Sequence, residues 1–285
     1  MKMNFNFSIS NEVTINNRTS PHLICSGVTG SGKTGVILLS MLKSMSAKVQ
    51  DRSSPNFGKY DFSANGEVGM CADAYVIDGK GGDLTQLPLP PDHVAITAPQ
   101  AAGLLRRMVI NMHERYARYK VGFGQDLVSY EFDGRRVRPV IIVIDELSVL
   151  LNDTTAGTEI KSYLSTLLNA SRMANMYIYI GIQRPSAEVI TRDTTLQLGT
   201  RILLLDTVAD SNTLKMLFPM VDPEMLPMSD GRRGSGLIYV EGQEYATARP
   251  IHFPNVYDLD VIQVVKNIQQ EIKLEAFVDE SDYWK

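Results

Sequence analysis

Pro21-His22-Leu23-Ile24-Cys25-Ser26-Gly27-Val28-Thr29-Gly30-Ser31-Gly32-Lys33-Thr34 is the stretch whose reading decides the rest of the chain. Leu23-Ile24-Cys25 is a short apolar run and predicts a buried strand. Gly27 to Thr34 fits the pattern of a glycine, four residues, then Gly-Lys-[Ser/Thr]. A helical segment with Val36, Ile37, Leu38, Leu39, Met41 and Leu42 follows. Phosphate binding demands this order. Glycines let backbone N–H groups curl around a β-phosphate, and the helix N-terminus adds the positive end of its dipole. The cradle predicted for ATP is therefore Gly27, Val28, Thr29, Gly30, Ser31, Gly32, Lys33, Thr34 and Gly35. Lys33 is expected to reach the β- and γ-phosphates, and the Thr34 hydroxyl to ligate Mg²⁺.

A second motif completes the first. Pro139 opens Val140-Ile141-Ile142-Val143-Ile144-Asp145-Glu146, an apolar run ending in two acids about 110 residues beyond the glycine loop. A parallel strand buried on both faces must be continuously apolar. Ligands of such sheets gather at the carboxyl ends of the strands, which places the acids beside the loop. Asp145 is expected to hold Mg²⁺ through its water shell, and Glu146 to polarise the attacking water. Ala74-Tyr75-Val76-Ile77-Asp78 is another buried strand, lying in sequence between the two motifs and followed by Gly79-Lys80-Gly81-Gly82-Asp83-Leu84. The additional strand, with Glu directly after the Asp, is the arrangement of RecA-like and AAA-like motors. Small GTPases and nucleotide kinases usually lack it. The fold class expected is α/β: a RecA-like P-loop ATPase domain with an additional strand and a catalytic Glu, its mostly parallel central sheet flanked by helices.

Composition narrows the partners. The 285 residues fit one large α/β domain, and a formal charge of −4 gives no global basic footprint, so any polyanion contact is local. Cys25 and Cys71 each sit in an apolar run without disulfide or metal spacing, which reads as buried thiols in a reducing cytoplasm. Neither a membrane-length apolar run nor a signal-peptide core is present.

The remaining segments read as follows. Residues 1–20 form an N-terminal strand or arm with alternating Phe5, Phe7 and Ile9, and 50–69 a polar loop or excursion. Residues 99–120 are helical, with Arg106, Arg107, Arg115 and Arg118 on a solvated face. A polar insertion covers 122–138, and a helix carrying Arg172 covers 158–175. Tyr177 to Ile182 is a buried strand ending at Gln183-Arg184-Pro185, where Gln183 is placed to sense the γ-phosphate. Strand Arg201–Leu205, a short helix capped by Asp210 or Ser211, and a turn with Arg232 and Arg233 come next. A hairpin pairing Leu237–Val240 with Tyr245–Arg249 then ends the motor domain, 21–257. Residues 258–285 are a helix and an acidic, mobile tail.

Seven ordered segments, PHLICSGVTGSGKT (21–34), YVIDGKGGDL (75–84), HERY (113–116), IIVIDELSVLL (141–151), NASRMANMYIYIGIQRPSAEVIT (169–191), GTRILL (199–204) and DSNTL (210–214), make the chain resemble the motor domain of the FtsK/SpoIIIE family of hexameric ATPases. The resemblance implies a homo-oligomer, a hexamer when active, hydrolysing ATP at subunit boundaries. It makes Gln183 the sensor glutamine and Arg172 an arginine that reaches the neighbouring subunit's nucleotide. It also implies DNA in the ring pore, with Arg184, Arg192, Arg232 and Arg233 as candidate contacts. The sequence departs from the family at Gly79, where many members have Pro, and at Ile182, where many have Thr. Val208 and Asn212 stand where basic pore residues are expected. DGKGGDL is similar to the variants in coupling proteins of conjugative plasmids and integrative elements. The implied function is a DNA-transfer ATPase in the cytoplasm, recruited to the inner face of the membrane by a membrane-bound partner. A protein-translocating ATPase like those of type VII secretion is the alternative, and the sparse basic complement favours it.

Overall fold

A computed structural model describes residues 1–119, 123, 126–128, 130–185, 191–243 and 247–281. Among the described residues the apolar runs assemble an eight-stranded sheet from β1 (Leu23–Gly27), β2 (Asp73–Asp78), β3 (Val94–Ala95), β4 (Val140–Asp145), β5 (Met176–Ile182), β6 (Thr200–Leu204), β7 (Ser235–Val240) and β8 (Arg249–His252). Their order is β8-β7-β6-β1-β5-β4-β2-β3. From β6 to β3 every pairing is parallel, while β7 and β8 add an antiparallel edge. Strand β5 lies between the P-loop strand β1 and the acid-bearing strand β4, with Ile180 opposite both Ile24 and Ile144. The strand that separates the two motifs in space is therefore β5; β2, which separates them in sequence, flanks β4 on the far side.

Alternation along β5 sorts the two faces, because successive side chains of a strand point to opposite sides. Tyr177 and Tyr179 join the core layer with Val36, Leu38, Val265 and Ile268, from helix α1 (Lys33–Met45) and the helix Val261–Glu271. Ile178, Ile180 and Ile182 join the opposite layer with Leu104, Met108, Leu164 and Leu167. Those leucines and Met108 come from the long helices Ala98–Arg118 and Ala156–Ala170. Thr97 and Gln100 start the first of these with a reciprocal capping box.

Several expectations are corrected. The N-terminal segment keeps its alternation, with Phe5, Phe7 and Ile9 all buried, yet it joins only small sheets of its own. Lys2–Met3 pairs with Glu67–Val68, and Asn6–Ser8 with Thr14–Asn16. The 50–69 loop is tied to that arm, Asn6 Nδ2 donating to Asp51 Oδ2 at 2.8 Å and Asn4 Nδ2 to Glu67 Oε1 at 3.1 Å. The helix expected over 158–175 ends at Ala170, and Ser171–Ala174 is a 3₁₀ turn. The second hairpin strand is Arg249–His252. The stretch expected for it at 245–249 falls partly outside the described residues, and Pro250 is tolerated because β8 is an edge. Arg115 is not on a solvated face, and Glu280, in the described part of the acidic tail, is anchored. Arg115 and Glu280 are 3 % and 8 % exposed and form a bidentate ion pair, with Nη2 to Oε2 at 2.6 Å and Nε to Oε1 at 3.1 Å.

Candidate nucleotide-binding site

Strand β1 ends at Gly27, where a Cβ would stand 2.5 Å from Ser31 Oγ, so only glycine lets the loop close on itself. The loop then turns through Gly30 (φ 84°) and Gly32 (φ 100°), left-handed conformations that cost glycine nothing. Gly32 precedes α1, and no side chain caps that helix or places an acid in its first turn. Its leading N–H groups are thus left for an anion. Ser31 Oγ is buried with no hydrogen-bond partner.

The acids meet this loop directly. Thr34 Oγ1 donates to Asp145 Oδ2 at 2.8 Å. The other carboxylate oxygen, Oδ1, is buried and unpartnered, and burial raises the Asp145 pKa against the opposing pull of Thr34 and Lys33. Space for it exists because residue 181 is glycine: a Cβ there would lie 2.6 Å from Asp145 Oδ1 and 2.6 Å from Ile37 Cδ1. A hydroxyl beside an orphaned carboxylate oxygen suits Mg²⁺, which takes one or two protein ligands and fills its shell with water and phosphate oxygens. No group of three or more His, Cys, Asp or Glu stands together among the described residues.

Glu146 sits one residue past β4 in a left-handed backbone conformation (φ 58°, ψ 60°), rare for a side chain of this kind. It is only 2 % exposed. Its Oε2 accepts from Lys33 Nζ at 2.6 Å and Lys80 Nζ at 3.0 Å. Its Oε1 accepts from Ser148 Oγ at 3.3 Å and from the Gln183 backbone N–H at 3.4 Å. Burial works to raise the Glu146 carboxyl, but the two lysines outweigh it and hold the group below its usual range.

Lys80 is the residue that sequence reasoning passed over as a site member. Asp78 fixes it from the end of β2, accepting from the backbone N–H of Lys80 (Oδ1, 3.0 Å) and of Gly82 (Oδ2, 2.8 Å). An acid followed by Gly-Lys-Gly-Gly at a parallel strand's carboxyl end was the signal available.

Gln183, half-buried, lines the cleft with Lys33, Asp78, Asp145, Arg233 and Tyr257, enclosing about 280 Å³. An adjoining recess of about 180 Å³ lies between Gly35, Arg233, His252, Pro254 and Tyr257. Burial and a hydrogen bond with Asp83 push the Tyr257 phenol up to about 12. Arg233, one of the candidate DNA contacts, stands at the nucleotide cleft beside Gly32. Arg232 is exposed and paired with Asp230 Oδ2 at 2.5 Å. Arg184 is exposed and lowers the Asp210 pKa by its charge, after the larger effect of the Thr213 N–H. The Arg192 side chain lies outside what the structure describes, as do residues 186–190. Arg172 is exposed on the Ser171–Ala174 turn, before β5, whereas Gln183 follows it. A seven-residue strand separates them by roughly 20 Å, so Arg172 does not reach its own protomer's cleft.

No family model matches the sequence. Curated relatives do. The DNA translocase FtsK of Caldanaerobacter subterraneus subsp. tengcongensis is 30 % identical over 200 residues, 68 % of this chain and 25 % of that protein. The DNA translocase FtsK of Chlorobaculum tepidum is 25 % identical over 287 residues, 94 % of this chain and 32 % of that protein. The chain belongs to the FtsK/SpoIIIE-type motor ATPases. It spans about a quarter to a third of the length of these two relatives. Among solved structures, the pCW3 conjugation coupling protein TcpA, in its monomer form with ATPγS, shares the fold. Its TM-score is 0.69 at 23 % identity, over 94 % of this chain and 69 % of that one. The cytoplasmic domain of the Thermomonospora curvata type VII secretion ATPase EccC also shares it. That match has a TM-score of 0.59 at 18 % identity, over 93 % of this chain and 30 % of that one. Both are P-loop ATPase folds of the class expected from the two motifs.

Proposed function

We propose that this FtsK/SpoIIIE-type domain hydrolyses ATP at the Lys33–Glu146 cleft and uses the cycle to move DNA through a homo-oligomeric ring, in the manner of a coupling ATPase for DNA transfer. The observation that carries the reading is the convergence of Lys33, Thr34, Asp145 and Glu146, drawn from two motifs, within 2.6–2.8 Å contacts of one another. The β- and γ-phosphates enter the loop from Gly27 to Gly35, where the uncapped N–H groups of α1 take up their charge. Lys33 then exchanges the Glu146 carboxylate for phosphate oxygens. Thr34 and Asp145 would hold Mg²⁺, which when bound would supply charge neutralisation to the phosphates. Glu146, released from Lys33, accepts a proton from the attacking water, and Gln183, whose backbone N–H already touches it, reports on that water. The recess beside Tyr257, walled by Val36, Phe253, Pro254 and Val256 together with Arg233, His252 and Asn255, is where the base and ribose are proposed to lie.

Arg172 completes the site of the next protomer, which its distance from its own cleft requires if it acts at all. The FtsK names of the relatives and the likeness to a coupling protein support DNA as the cargo. DNA gripping by few basic residues fits a chain of net charge −4 and gives backbone contact without base readout. A cytoplasmic ring docked on a membrane-bound transfer partner is the setting proposed. The second reading is polypeptide movement. It is favoured by Val208 and Asn212 at expected basic positions and by Asp230 neutralising Arg232. Steady-state ATPase assays with and without double-stranded DNA decide between them. Stimulation by DNA that Lys33→Ala abolishes is the expected result; turnover indifferent to DNA but raised by a secreted-substrate peptide overturns it.

A further inference from the structure

The turn Ser171–Ala174 is an exposed tip on a heavily braced base. Arg172 and Met173 face solvent, while Ser171 and Ala174 are fully buried. Ser171 Oγ donates to the Met176 carbonyl at 3.0 Å, and Asn175, left-handed at φ 58°, donates from Nδ2 to the Val137 carbonyl at 3.0 Å. Tyr116 OH donates to the Ala170 carbonyl, and His22 Nδ1 accepts from the Ile178 N–H at 3.1 Å. The strongest brace is a charged one. Arg115 Nη1 donates to the Ala174 carbonyl at 2.7 Å, and Nη2 to the Arg138 carbonyl at 2.9 Å. What aims Arg115 is Glu280, which takes both its Nε and its Nη2 and also accepts from Tyr119 OH at 3.1 Å. The carboxylate lies 165 residues from its partner, on a segment anchored by buried Phe277 and by the Val278 N–H to the Arg136 carbonyl at 2.9 Å.

A planar guanidinium gripped bidentately has one orientation, and here that orientation delivers a donor to the carbonyl two residues past Arg172. Without Glu280 only the carbonyls of Ala174, Asn175 and Arg138 hold the buried cation in that pose. The turn's charged brace, next to the residue it displays, is then weakened. A displacement of about 1 Å in a group that must meet a transferring phosphoryl costs about 10²-fold in rate. We propose that Glu280 is a positioning residue for Arg172: through Arg115 it fixes the turn that presents this arginine to the adjoining protomer. The inference rests on the reading that Arg172 acts in trans.

Mixed assemblies test it, because the donor of the arginine and the site it serves sit on different chains. Arg172→Ala protomers keep a working cleft but donate nothing; Lys33→Ala protomers donate but do not hydrolyse. Mixed with Mg·ATP and DNA, the two are expected to recover turnover. A donor carrying both Lys33→Ala and Glu280→Gln is expected to restore about ten-fold less, at equal incorporation by sedimentation. Since the donor's own cleft is already dead, a loss seen there reports only on what it presents to its neighbour. Equal rescue by the two donors overturns the role of Glu280. Failure of Lys33→Ala alone to rescue overturns the trans reading itself, and the inference with it. Should the Gln variant not assemble, Tyr119→Phe, which keeps the ion pair and removes one hydrogen bond to Glu280, takes its place with an expected loss of about three-fold.

Discussion

Single atoms decide most of what this cleft can do. Glu146→Gln keeps the shape of the site and removes its base, so Mg·ATP binding should stay near wild type while kcat falls about 10²-fold or more; a filter-binding titration beside an ATPase assay separates the two. Gly181→Ala sets a methyl 2.6 Å from both Asp145 Oδ1 and Ile37 Cδ1. It should cost about 1–3 kcal/mol in urea unfolding and raise the Mg²⁺ concentration needed for half-maximal turnover. His22 carries a pH dependence. Burial chiefly, with Arg172 adding a like-charge push against a stabilising bond to Leu168, lowers its pKa from 6.5 to about 3. The folded state therefore prefers the neutral ring. Its contribution is complete above about pH 6.5 and is lost as pH falls toward about 3, at up to about 1.4 kcal/mol per pH unit. Urea midpoints at pH 7 and pH 5 should show that slope, and His22→Gln should flatten it.

At the scale of elements, what the sequence disclosed and what it hid follow from how each interaction is encoded. Strands β1, β4 and β5 are continuous apolar runs because they are buried on both faces, and their ends are legible to within two residues. The loop from Gly27 to Thr34 declared itself through glycines that no other residue can replace. Lys80 and the Arg115–Glu280 pair did not, since each owes its role to a partner 66 or 165 residues away and a lone charge reads as solvent-facing. Helix Leu147–Leu151 is not legible in the sequence, because a five-residue helix has no period to detect. The strand Arg249–His252 was placed too early because Pro250 argues against a strand unless its edge position is known. Caps were partly readable: of the two candidates before the short helix, Asp210 and Ser211, it is Asp210 that accepts from the Thr213 N–H at 2.8 Å. The Thr97 cap makes a comparable prediction, with Thr97→Ala costing about 1 kcal/mol in thermal or urea unfolding.

For the whole molecule, Arg172 and the cleft sit at opposite ends of strand β5. Arg172→Ala should therefore leave Mg·ATP affinity intact in isolated protomers and lower turnover of the assembly about 10³-fold. Affinity lost together with turnover would show a role in its own protomer instead. A net charge of −4 with few exposed arginines on candidate pore loops predicts a shallow salt dependence of DNA binding. Arg184→Ala should reduce the slope of log K against log salt by about 0.9. One feature of the sheet bears on how the two ends communicate. Strand β5 starts just past the Arg172 turn, finishes against Gln183, is hydrogen-bonded along both edges and is buried throughout. A segment clamped in that way resists stretching and buckling and travels as a rod. On the reading that a neighbour contacts Arg172, a push at the foot of this strand would be passed along it toward the phosphates.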